Sequence, residues 1–68
     1  MTRFKATACS VYHDGYRMQM EWGVGPTADA ALADMRRKAV RTYKHVSPRW
    51  DVRVEEIAPA VAFHRYPG

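Results

Sequence analysis

The chain has 68 residues, eleven Lys and Arg against seven Asp and Glu, a formal charge of +4, and 47% hydrophobic content. A chain this short makes one domain, residues 1–68, burying only roughly 60% of the surface its unfolded form exposes, so one small core must serve. The composition argues against disorder; the single cysteine, Cys9, rules out an intramolecular disulfide, and no apolar run reaches the roughly 18 residues a membrane helix needs.

MTRFKATACSVY lacks the continuous apolar stretch of a signal peptide, so the chain is expected to be soluble, unprocessed and cytoplasmic, without membrane contact. The basic balance, with a pI near 9.6, bears on attraction to polyanions and not on fold.

Residues 3–12 alternate, with Phe4, Ala6, Ala8, Ser10 and Tyr12 on one side and Arg3, Lys5, Thr7, Cys9 and Val11 on the other, which predicts a strand. Residues 16–24 alternate again. Tyr16, Met18, Met20, Trp22 and Val24 are separated by Arg17, Gln19, Glu21 and Gly23. The loop between them, His13-Asp14-Gly15, sets the register. A three-residue loop with Gly15 left-handed places Trp22 opposite Ala6, Met20 opposite Ala8 and Phe4 near Val24. We adopt that register; a two-residue Asp-Gly loop is the alternative.

Gly23, Gly25 and Pro26 are expected to break this strand, and Thr27 to cap a helix over Thr27–Val46. At about 100° per residue, Ala28, Leu32, Met35, Ala39, Tyr43 and Val46 share one face, and Arg37, Arg41 and Lys44 the other. Asp29 and Asp34 lie towards the positive end of the dipole, Arg41, Lys44 and His45 at the negative end, and Asp34 stands four residues before Lys38. Alanines at 28, 30, 31, 33 and 39 favour the helix and, on its buried side, let it approach a sheet closely.

Ser47-Pro48-Arg49 is expected to stop the helix, since a residue before proline is biased out of the helical region. Trp50–Ile57 then alternates Trp50, Val52 and Val54 against Asp51, Arg53 and Glu55, a third strand whose inner face meets the helix. Beyond Pro59, Ala60–His64 reads as a short fourth strand along an edge, or as an extended tail packing Val61 and Phe63 over the core. The predicted fold is α+β, ββαβ(β), with one helix on one face of a small, mostly antiparallel three- or four-stranded sheet.

No constellation for catalysis, a metal or a cofactor emerges. His13, His45 and His64 have no ligand spacing; Cys9 and His13, on a strand and its turn, need not face each other; Glu55 and Glu56 point to opposite faces of a strand. Gly23-Val24-Gly25-Pro26 lacks the lysine and spacing of a phosphate-binding loop. Met18, Met20, Met35 and Trp22 are assigned to the core. Two basic groups are candidate contact surfaces: Arg36, Arg37, Lys38, Arg41 and Lys44 around the outer helix, and Arg3, Lys5 and Arg17, joined by Arg53, on the open sheet face with Glu21 and Glu55 between them. No aromatic stacking platform is expected on that face. A sheet edge is available to a protein or a second copy, giving a homodimer.

The Asp14-Gly15 hairpin, the Ala-rich helix opened by Pro26-Thr27 and the closing strand resemble, in layout, the small ββαβ phage anti-CRISPR proteins that block type I surveillance complexes. Asp14-Gly15-Tyr16 followed by Thr27, Ala30-Ala31-Leu32 and Met35 is similar to the strand-to-helix passage of HicB-type antitoxins, without their Gly-Cys element or DNA-binding segment. The first resemblance implies a non-catalytic inhibitor that works in the host cytoplasm by covering a protein or nucleoprotein surface. Arg37, Arg41 and Lys44, or Arg3, Lys5 and Arg17, would supply the charged contacts. The alternatives are a direct nucleic-acid binder using the same residues and a toxin-neutralising protein.

Overall fold

The computed structural model describes residues 2–57. They form β1 (Arg3–Val11), β2 (Arg17–Gly25), α1 (Ala28–Tyr43) and β3 (Asp51–Ile57). The strands make one antiparallel sheet in the order β2-β1-β3, with the helix on one face. This is the ββαβ layout read from the sequence; Ala60–His64 lies outside the described residues.

The hairpin turns through three residues, His13 to Gly15. The Tyr12 N–H donates to the Tyr16 carbonyl at 2.8 Å, and the Gly15 N–H to the Tyr12 carbonyl at 2.9 Å. Gly15 sits at φ 91°, where a Cβ would be strained, and the Asp14 carboxylate accepts the Tyr16 N–H at 3.0 Å. Next to the turn the expected register holds, with Val11 opposite Arg17, Ser10 opposite Met18 and Cys9 opposite Gln19.

One residue further on, the register changes. Met20 has no partner on β1, and beyond it Ala8 faces Glu21, Thr7 faces Trp22, Ala6 faces Gly23 and Phe4 faces Gly25. This β-bulge overturns the expected pairing of Trp22 with Ala6 and Met20 with Ala8. Because side chains alternate, an inserted residue turns everything after it to the other face. Trp22 and Val24 therefore leave the core side, and the two glycines take it.

The glycines do not break the strand; they are where the helix lies down on it. A Cβ added at Gly23 would fall 2.8 Å from the Ala31 carbonyl oxygen and closer still to the Met35 amide, and one at Gly25 would fall 2.7 Å from the Ala30 Cβ. Backbone thus packs on backbone. The fully buried residues are correspondingly small: Ala6, Ala8, Ala31 and Ala39, with Met35 the single large side chain among them. Phe4, Leu32 and Trp50 pack against that cluster while half-buried. Met18, at 40% exposure, and Tyr16 belong to the hairpin's solvent-facing end and not to the core as expected.

Thr27 caps the helix, its hydroxyl accepting the Ala30 N–H at 3.1 Å. The helix ends three residues before the expected Val46. Lys44 takes a left-handed conformation, φ 72°, and returns its N–H to the Val40 carbonyl at 2.9 Å, so a backbone cap stops the helix before Pro48 is reached. The chain then turns through Ser47–Trp50, where the Tyr43 ring meets the Trp50 ring edge-on at 5.6 Å. The helix lies over β1 and β2, hardly touching β3. Val52 and Val54, expected beneath it, share its side of the sheet yet remain 37% exposed.

Candidate binding surface

The face of the sheet away from the helix carries Arg3, Lys5, Thr7 and Cys9 from β1, and Arg53 and Glu55 with Asp51 from β3. From β2 come Arg17 and Gln19 before the bulge, and Trp22 and Val24 after it. Arg3, Lys5, Arg17 and Arg53 thus share one face, as expected, and Glu55 lies beside Lys5. Glu21 does not join them: paired with Ala8, it sits on the helix side, another consequence of the bulge.

Trp22 lies on this face, on the edge strand β2. It is 40% exposed, with the Lys5 ammonium 5.1 Å and the Lys38 ammonium 4.5 Å from its ring centroid. Both distances lie within cation–π range. Lys5 reaches Trp22 across the sheet surface, whereas Lys38 comes from the helix, over the β2 edge. The outer face, on which no aromatic stacking platform was expected, therefore carries one exposed aromatic ring.

Asp34 holds Lys38 in place. Its carboxylate accepts the Val24 N–H at 3.1 Å, pairs with Lys38 at 3.3 Å, and also pairs with Arg37. These contacts, the Val24 amide foremost, hold the Asp34 carboxyl below the ordinary carboxylate range against the opposing effect of desolvation. Asp34 thereby turns one helix cation towards the sheet face and binds another to the helix surface.

At the other end of the face, Asp51 accepts Arg17 at 2.7 Å and the Arg53 Nε at 3.0 Å. The Arg17 hydrogen bond is the main reason the Asp51 carboxyl is lowered, and the same bond raises the Arg17 guanidinium. The link spans β1 at Cys9, whose thiol is half-buried. The one Asp51 carboxylate thus offsets one of the two charges of Arg17 and Arg53. Among the described residues, Arg3 and Lys5 have no carboxylate within ion-pair distance, so the Trp22 end carries cations without a paired carboxylate.

Of the two predicted basic groups only Lys38 and Lys5 are brought together, over the Trp22 ring. Arg37, Arg41 and Lys44 stand on the helix, Arg37 tied to Asp34, Arg41 in the last turn and Lys44 at the cap. The residue that the sequence reading missed is Trp22, which it assigned to the core; Lys38 it placed with the outer-helix group, away from the sheet face. The available signal was Gly23-Val24-Gly25: glycines in phase with each other mark the side on which another backbone approaches, which puts Trp22 and Val24 on the opposite side.

His13 lies in the hairpin turn and His45 beside the Trp50 ring at 6.0 Å, while His64 is outside the described residues. Among the described residues no three His, Cys, Asp or Glu side chains gather as a metal site, and no helix is long and apolar enough to cross a membrane. Comparison of the chain with models of known families, with curated proteins and with solved structures found no match.

Proposed function

We propose that this protein acts by binding, without chemistry, and that it occludes a nucleoprotein surface in the manner its layout shares with phage anti-CRISPR proteins of type I systems. The observation that carries the reading is the Trp22 ring, exposed on an open sheet and flanked by Lys5 and Lys38. The two ammonium groups lie over the ring in the free protein; an unstacked base of any identity that takes the ring face displaces them onto the adjoining phosphates. A guide-bearing complex presents both. Arg3 extends the positive strip from the Lys5 end, whereas Arg37, Arg41 and Lys44 on the helix are secondary contacts.

A second reading, direct binding of single-stranded nucleic acid without a protein partner, is favoured by the same ring. Fluorescence anisotropy against a labelled single-stranded RNA and a duplex of the same sequence separates the two. Tight, salt-sensitive binding of the free single strand supports the second reading. Capture of a purified type I surveillance complex, lost in Trp22→Ala and Lys5→Glu while those variants remain folded, supports the first. Failure of both experiments rules out both readings.

A further inference from the structure

The two edges of the sheet are treated differently. On β2 two of the outward-facing backbone groups are held by the helix: the Val24 N–H donates to Asp34 at 3.1 Å, and the Met20 carbonyl accepts the Tyr43 hydroxyl at 2.8 Å. Both partners come from the helix, which fences that edge. No side chain among the described residues bonds to the backbone of β3 in this way.

The direction of the β3 hydrogen-bonding groups follows from the alternation of an antiparallel ladder. Since the Val24 N–H turns away from β1, Lys5 opposite Val24 is a pair without mutual hydrogen bonds, and the Lys5 backbone groups point towards β3. Lys5 opposite Glu55 is then a bonded pair, as is Thr7 opposite Arg53. Hence Val52, Val54 and Glu56 direct their N–H and C=O groups outward. Two of these three are the valines left 37% exposed on the helix side.

A second copy can meet this edge antiparallel about a two-fold axis normal to the sheet, the isologous arrangement that closes on itself. Charge and the length of strand overlap together then select the register. With Val54 opposite its own counterpart, Arg53 lies opposite Glu55 of the second copy and Glu55 opposite its Arg53, in the closely spaced non-bonded position where cross-strand pairs interact best. Shifting the axis to Arg53 would set arginine against arginine and Asp51 against Glu55; shifting it to Glu55 would set glutamate against glutamate. A Val52-centred axis would also set Arg53 against Asp51, but Asp51 is already paired within its own chain and only residues 51–53 of β3 would overlap, whereas the Val54-centred register pairs the strand over its whole length and satisfies both outer-face pairs.

We infer that the protein is a homodimer joined through β3, giving a continuous six-stranded antiparallel sheet with both helices on one side and both Trp22 faces on the other. The two outer edges of this sheet are the fenced β2 strands. On the helix side, Val54 packs on its counterpart and Val52 lies diagonal to it. The inference stands apart from the identity of any other partner.

Sedimentation velocity on the full chain from about 1 µM to about 1 mM in low salt tests it. The wild type is expected to shift from monomer to dimer across that range. Arg53→Glu and Glu55→Arg should each weaken the dimer by about tenfold or more, since each removes both attractive pairs and sets like charges opposite. The double exchange R53E/E55R should return the affinity to within about threefold of wild type. Circular dichroism melts of the three variants establish that they are folded, and the double exchange guards against reading a folding defect as lost association. A chain that stays monomeric throughout, whose edge is then covered by its own residues beyond Ile57 or by nothing, overturns the inference. So does a dimer indifferent to the single exchanges, or one that the double exchange does not restore.

Discussion

The Tyr43 hydroxyl donates to the Met20 carbonyl at 2.8 Å, joining the last residue of the helix to the one residue of β2 that has no partner on β1. The bulge at Met20 decides which face Trp22 occupies, so this hydrogen bond fastens the feature on which the candidate site depends. The Tyr43 ring separately meets Trp50, and removing the hydroxyl alone isolates the first contact. Tyr43→Phe is expected to destabilise the protein by about 1 kcal/mol, the typical net worth of such a bond. A thermal melt should show a midpoint lower by roughly 4–8 °C.

Gly23 is the point of closest approach between helix and sheet. A methyl group there would meet the Ala31 carbonyl at 2.8 Å and the Met35 backbone, and neither obstacle is a flexible side-chain end that can swing aside. The helix as a whole must lift. Gly23→Ala should therefore cost about 2 kcal/mol or more, the upper part of the range for overpacking, even though alanine has the better β propensity. Urea unfolding gives the value directly. A variant as stable as wild type would mean the helix does not rest on this glycine.

Lys44 is the one described non-glycine residue at positive φ, 72°. A side chain there costs roughly 1–2 kcal/mol relative to the right-handed region, and glycine relieves it. Against this stand the lost attraction of a cation for the helix C-terminus, about 0.3–1 kcal/mol, and the greater backbone freedom of glycine in the unfolded chain, about 0.5–1 kcal/mol. These terms nearly cancel. Lys44→Gly is predicted to change stability by less than about 0.5 kcal/mol, where any other interruption of a helix terminus would destabilise. Equilibrium unfolding in two ionic strengths checks the balance: the variant should gain on wild type as salt screens the charge term.

Much of this arrangement was legible in the residues. Alternation gave the three strands, Asp14-Gly15 the three-residue turn, Thr27 the helix start and Asp34 its bond to Lys38. The two faces of β2 were not. Met18, Met20, Trp22 and Val24 form an unbroken apolar alternation, and hydrophobicity alone places them all inside; a bulge leaves no mark in such a pattern because it changes phase without changing composition. What outweighed the burial of Trp22 was the close seating of an alanine-rich helix on Gly23 and Gly25, a backbone effect that side-chain hydropathy does not register. The helix end was missed for a related reason. Pro48 is the obvious stop, yet the turn is made at Lys44, a residue type with no preference for the conformation it adopts.

Acid should expose the role of the two paired carboxylates. Asp34, bound to the Val24 amide with Lys38 and Arg37, and Asp51, bound to Arg17 with Arg53, both have lowered pKa values in the folded protein. The unfolded chain holds these groups near the ordinary value of about 3.9 and so binds more protons than the native state from about pH 5 downwards. Stability from both groups is then fully present well above pH 4 and is lost as the pH falls through their folded values. Melting midpoints should be flat between about pH 7 and 5 and fall steeply below about pH 4. Asp34→Asn retains an oxygen for the Val24 amide but cannot ionise, so it should start lower at pH 7 and fall less on acidification. If the midpoint of D34N drops over the same range as steeply as that of the wild type, the Asp34 bond to the β2 edge is not a source of the acid sensitivity.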